Sequence, residues 1–103
     1  MTLLDYVKTA LRLMTDDGNI INEISGLIYA GISDLEDTAG VNVYGVKSPE
    51  VAIDGDSRMM LVAQAIATYV KKSFGQPDDV ERLERSYDMQ KAQLKTASRS
   101  WDE

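Results

Sequence analysis

The stretch Ser57-Arg58-Met59-Met60-Leu61-Val62-Ala63-Gln64-Ala65-Ile66-Ala67-Thr68-Tyr69-Val70-Lys71-Lys72-Ser73-Phe74 carries only Gln64 and Thr68 as polar residues between Met59 and Val70. Wound as a helix it is apolar nearly all round. In water such a helix has to be covered on most of its circumference, by other helices or by neighbouring subunits. The chain has 103 residues, enough for one domain that buries roughly two-thirds of its unfolded surface. A wrapped helix inside so short a chain predicts self-assembly rather than a solitary enzyme.

The segments around it complete a mostly α plan of about four helices. Upstream, Leu3 to Met14 reads as a helix opened by a capping box of Thr2 with Asp5, its stripe formed by Leu3, Val7, Leu11 and Met14. Thr15-Asp16-Asp17-Gly18-Asn19 ends it. A second helix is expected after Asn19 to about Thr38, with Ile20, Ile24, Leu27, Ile28, Ile32 and Leu35 on one face and Gly40 as a left-handed terminator. Gly26 with Ala30, and Ala63 with Ala67, lie four apart, so two ledges could let the second and third helices cross closely; small residues that simply fit are the equal alternative. Downstream, Gly75-Gln76-Pro77 separates the third helix from a fourth over about 78–99, with Asp78 and Asp79 at its positive end. The fourth helix has a thin apolar stripe of Val80, Leu83, Tyr87 and Leu94, with Ala97 and Trp101 beyond, among strongly polar neighbours.

Between Gly40 and Asp56 the period changes. Val41, Val43, Val46, Val51 and Ile53 alternate around Lys47-Ser48-Pro49-Glu50, which predicts a small hairpin or an extended loop over about 41–56. A two-stranded hairpin alone is marginal in water. The segment is therefore the best candidate for a partner-contacting arm, and Val41, Val43, Tyr44, Val46, Val51 and Ile53 are its candidate interface residues. Tyr87, Leu94 and Trp101 join them from the fourth helix and its tail. For Trp101, docking on a partner and a frayed, exposed end both stand open.

Hydrophobic residues at 44% and charged residues at 27% put the chain in the ordinary globular range. It contains no cysteine and no histidine. Thiolate chemistry, disulfides, cysteine-ligated zinc and the commonest general base are thereby excluded. The acidic turns Asp16-Asp17-Gly18-Asn19, Asp34-Glu36-Asp37 and Asp54-Gly55-Asp56 do not reproduce a calcium loop, and no glycine-rich phosphate cradle is present. We expect no catalytic residue, no metal site and no cofactor, and hence no enzyme. A carboxylate-dependent hydrolase is the remaining enzyme-class competitor. Met1 to Lys8 lacks a basic, apolar leader pattern, and no apolar run reaches the ~20 residues of a membrane span, so a soluble intracellular product without membrane attachment is expected.

Charge is unevenly spread. Residues 1–56 hold ten acids and three bases, residues 57–103 seven acids and eight bases, within a net charge of −6. Affinity for a duplex comes largely from Lys and Arg displacing counterions, so an acidic surface argues against gripping DNA. Lys71, Lys72, Arg82, Arg85, Lys91, Lys95 and Arg99 form the one basic concentration, and pairing with Glu81, Glu84 and Asp88 at helical spacing accounts for it better than nucleic acid does. Tyr29, Tyr44, Tyr69 and Tyr87 read as core or interface amphiphiles rather than as stacking platforms.

The order of parts resembles a known family. A Leu-Leu-Asp-Tyr-Val-Lys opening helix, an Asp-Asp-Gly turn, a second helix ending in Leu35-Glu36-Asp37-Thr38-Ala39-Gly40, an extended stretch, and Met59-Met60-Leu61-Val62-Ala63-Gln64-Ala65-Ile66-Ala67 leading to Lys71-Lys72-Ser73-Phe74-Gly75 look like the head-to-tail connector (adaptor, or head-completion) proteins of long-tailed bacteriophages. The likeness spans nearly the whole chain. Asn22, Ser25, Gly26 and Gly31 make the second helix less regular than the family's, which is rich in Ala and Glu there. The resemblance implies a helical subunit in a homo-oligomeric ring, dodecameric in the virion and monomeric in isolation, beneath the portal protein in the virion neck and assembled in the host cytoplasm. It implies a tail-side neck protein as a further partner, and DNA that passes through without specific binding. It also implies that Val41 to Ile53 is an inter-subunit or lumen-facing arm, and that the fourth helix with its tail toward Trp101 engages the portal. The competing class is a small acidic helical regulator, of antitoxin or anti-repressor type, binding through the stripe of the fourth helix.

Overall fold

The capping box is present. In the computed structural model, which describes residues 1–75 and 78–101, the Asp5 amide donates to Thr2 Oγ1 at 3.2 Å and the Thr2 amide to Asp5 Oδ2 at 3.5 Å. They open α1, Leu3–Ala10. The helix stops a turn earlier than its hydrophobic spacing predicts. Arg12 adopts φ 59°, its amide donates to Thr9 O at 3.0 Å, and the Leu13 amide donates to Lys8 O at 2.9 Å. That is a Schellman end with Arg where Gly is usual. Leu3 and Val7 are buried, whereas Met14 leaves the expected stripe and is 100% exposed.

Asp17 caps α2, Gly18–Ser33, accepting from the Asn19 amide at 2.9 Å. The helix then widens into a π turn, Asp34–Thr38, and ends at Gly40 with φ 70°, where the Val41 amide donates to Leu35 O at 2.8 Å. Ile24, Ile28, Ile32 and Leu35 are buried as expected. Gly26 and Ala30 are exposed and form no ledge. Each lies two residues beyond a core isoleucine, about 200° round the helix. The close approach falls at Gly31 instead, where an added Cβ would stand 3.1 Å from the Tyr69 ring.

The apolar segment forms α3, Ser57–Ser73, capped by Asp56 through the Arg58 amide at 2.9 Å. It runs through the middle of the subunit and packs against α1, α2 and α4, Val80–Ala97. Val62, Ala63, Ala65, Ile66, Ala67 and Val70 are all buried. The cover that the sequence asked for is thus supplied largely by the chain itself, and the step from a wrapped helix to self-assembly fails for most of its circumference. One strip stays uncovered: Leu61 and Gln64 are exposed and Thr68 is half-buried.

The thin stripe of α4 is spent inside the subunit too. Leu83, Tyr87 and Leu94 are buried, and the helix continues into a 3-10 turn, Ser98–Ser100. Gly75 takes φ 68° after α3; of the separating tripeptide, Gln76 and Pro77 lie outside the described residues. At the start of α4 the Asp79 carboxylate accepts from Arg82 Nε at 3.0 Å. That bond holds the Asp79 carboxyl below its usual range.

The segment 41–56 is not a hairpin. Among the described residues there is no strand, only one isolated antiparallel bridge between Thr2 and Ala52. Tyr44 and Gly45, at φ 52° and 81°, fold the chain back on itself, and the Val46 amide donates to Val43 O at 3.0 Å. The later part lies along the start of α1, where the Leu3 amide donates to Val51 O at 2.9 Å and the Leu4 amide to Pro49 O at 2.8 Å. A helix N-terminus has orphan amides, and here the arm's carbonyls satisfy two of them. Hydrogen bonding to α1 takes the place of strand pairing, and the alternating side chains turn into the core.

Candidate interaction face

The nine expected interface residues separate by burial. Val41, Val43, Val46, Ile53, Tyr87 and Leu94 are buried within the subunit, while Tyr44, Val51 and Trp101 keep part of their surface. Trp101 neither frays nor stands free: its ring meets Tyr44 edge-on at 5.8 Å and 77°. Asn42 ties the same end down, its amide donating to Ser98 Oγ at 3.1 Å and its Nδ2 to Trp101 O at 3.3 Å. The Arg58 guanidinium lies over the Tyr44 ring, 4.2 Å from its centroid.

Where α2 gives way to the π turn, a polar cluster locks α4 in place. Tyr87 Oη donates to Asp34 Oδ2 at 2.6 Å, and Lys91 Nζ approaches the same oxygen at 3.5 Å. Lys91 also reaches Asp88 at 3.6 Å, a pair at the helical spacing that the sequence predicts. Lys72 Nζ stands 4.7 Å from the Tyr69 centroid. Burial, and after it the bond to Asp34, pushes the Tyr87 phenol well above its ordinary value. Structural attachment accounts for this cluster: the phenol is held neutral and donating to Asp34. Among the described residues no three His, Cys, Asp or Glu side chains converge as a metal site, and no helix is long and apolar enough to cross a membrane.

The outer surface of α4 has two unlike flanks. Glu81, Glu84, Arg85 and Asp88 lie on one, and line a shallow polar depression. On the other, Ser86, Met89, Gln90, Gln93 and Ala97 recur at helical spacing without a single charge. That uncharged flank borders the bare strip of α3, and between them Leu61, Gln64, Gln90, Gln93, Leu94 and Ala97 line a cleft of about 140 Å3. Tyr6 and Ala10 of α1, with Thr68 and Lys71, carry the depression onward from Gln64 and Gln90. Leu61 is 46% and Met89 63% exposed. Gln90 Oε1 is buried in this region and finds no donor among the described residues.

Interface cores are depleted of charge and enriched in Met and aromatic residues, and a chain with 27% charged residues leaves few places for such a face. The composition of the face was readable beforehand as the uncharged spacing Leu61, Gln64, Thr68 on one helix and Ser86, Gln90, Gln93, Ala97 on the next. A second uncharged surface lies on α2, where Gly26, Tyr29 and Ala30 are exposed.

No curated protein and no solved structure matches the chain significantly. The family described as phage connector protein does match, over residues 3–100, and so takes in all four helices and the arm. The chain belongs to the phage connector family.

Proposed function

We propose that this chain is a structural head-to-tail connector subunit whose copies form a ring beneath the phage portal, extend the DNA channel and offer a docking surface to the tail-side neck protein. The observation that carries this reading is the family match along residues 3–100, which coincides with the whole four-helix unit rather than with one segment of it. The ring belongs in the virion neck, after assembly in the bacterial host cytoplasm. A net charge of −6 fits a wall along which a polyanion slides without sticking. Because Val41, Val43 and Val46 of the arm are already buried, its outward contribution to partners rests on Tyr44 and Val51, with Trp101 beside them.

The regulator alternative relied on a free stripe along α4. Leu83, Tyr87 and Leu94 are covered within the subunit, so the stripe itself does not support that reading.

Native mass measurement and electron microscopy of the chain mixed with its portal protein test the proposal. A multi-copy ring seated on the portal is expected. A chain that remains a single copy, both alone at high concentration and with the portal present, overturns it. In a mobility-shift assay at low salt the chain should not retain duplex DNA.

A further inference from the structure

We propose that the cleft between α3 and α4 receives the Leu13-Met14 turn of a second copy of this chain, in a head-to-tail contact. The inference rests on the ring reading and specifies which two surfaces of the subunit meet.

Three observations fit the turn to the cleft. Met14 is 100% exposed, yet its turn is held at both ends: the Schellman contacts precede it, and Asp17, whose amide donates to Thr15 Oγ1 at 3.0 Å, follows it. A turn whose backbone is fixed in advance loses little main-chain freedom on docking. The cleft offers an open hole of about 140 Å3 lined by Leu61, Leu94 and Ala97 with Gln64, Gln90 and Gln93, close to the roughly 150 Å3 that takes a benzene-sized group. Charge agrees: Asp16 and Asp17 follow Met14 in the turn. The cleft runs on to Lys71, which is exposed and makes no ion pair among the described residues.

The two surfaces also point in different directions. The side of α1 next to the turn carries Asp5, Lys8 and Thr9, while the cleft side carries Tyr6 and Ala10, roughly a third of a turn round the helix. A subunit therefore presents knob and hole on separate faces. Contacts of this heterologous kind close into rings or run on as filaments, whereas an isologous dimer needs one self-complementary face.

The absence of cysteine permits a direct test. Met14→Cys combined with Gln93→Cys should give, on oxidation of the portal-bound assembly, a ladder of covalently linked copies. Met14→Cys with Ala30→Cys, which offers the rival uncharged surface of α2, should not. Met14→Glu should leave the thermal unfolding of the subunit unchanged while weakening self-association roughly tenfold or more, as expected from leaving one buried Met side chain in water. A ladder from the 14/30 pair, or no ladder from the 14/93 pair in an assembly whose mass shows several copies, overturns this contact and leaves the ring standing. A single copy on the portal overturns both.

Discussion

α3 and α4 lie side by side, run for similar lengths, and use opposite strategies. α3 is apolar on nearly every side and is buried because three other helices enclose it; α4 is apolar along one stripe and is held by that stripe alone. The first owes its place to area removed from water. The second adds a polar latch, Tyr87 and Lys91 on Asp34, and leaves most of its surface outside. Core and exposed surface are therefore divided between the two helices, α3 supplying most of the buried area and α4 most of the surface left outside.

The separation breaks if the cores of the two helices respond alike. Ile66, fully buried on α3, should cost about 3–4 kcal/mol on truncation to Ala, a large share of the ~5–15 kcal/mol that holds a domain folded. Leu94 on α4 borders an open cleft that can relax, so Leu94→Ala should cost about 2 kcal/mol. Urea melts of the two variants decide it, and a larger loss at Leu94 would reverse the assignment.

The latch answers to pH. Tyr87 has its pKa raised in the fold by burial and by Asp34, so the folded state holds its proton more tightly than the unfolded chain does. The stability from that difference is intact below the unfolded tyrosine pKa of about 10. It falls as pH rises beyond it, by up to about 1.4 kcal/mol per pH unit. Tyr87→Phe should cost about 1 kcal/mol at neutral pH and show a shallower alkaline decline than the parent. Parallel alkaline profiles would mean that neither burial nor Asp34 raises the phenol's pKa in the fold.

How far the sequence disclosed this arrangement depends on which force acts at each segment. α3, the core face of α2 and the stripe of α4 were legible because burial of side chains sets all three, and burial leaves a period. The end of α1 was not, since Leu11 and Met14 keep the helical spacing while Arg12 turns left-handed to make backbone contacts that no side-chain pattern records. The arm misled for a related reason. Its valines alternate as in a strand, but the backbone partners are the amides at the start of α1, and those are satisfied by carbonyls whatever side chains they carry. The uncharged face of α3 and α4 was hidden because an absence of charge stands out less than a run of leucines. Small residues were the hardest to place: Gly26 and Gly31 look alike in the sequence, yet one faces open space and the other a tyrosine ring.

That pair gives a smaller, sharper test of where α2 meets α3. Gly26→Ala fills open space inside a helix and should stabilise by about 0.5–1 kcal/mol. Gly31→Ala gains the same propensity but drives a methyl against Tyr69, which overpacking makes unfavourable by about 1 kcal/mol or more. The two alanines should differ by at least about 1 kcal/mol in thermal or urea unfolding, with Gly26→Ala the more stable. Equal effects would mean that Tyr69 yields freely and that the α2–α3 contact is loose.

The smallest expected change in stability lies on α3 itself and divides that helix in two. Leu61 is five residues before Ile66 and belongs to the uncovered strip. Leu61→Gln keeps the helix propensity similar and exposes nothing new within the subunit, so unfolding should move by less than about 0.5 kcal/mol. The same change takes an apolar wall from the cleft beside Gln90, and assembly on the portal should weaken while the free subunit stays folded. If Leu61→Gln instead destabilises the isolated subunit as Ile66→Ala does, the strip is part of the core and the cleft is closed in solution. If it affects neither folding nor assembly, the partner surface lies elsewhere, with the α2 face around Tyr29 the next to examine.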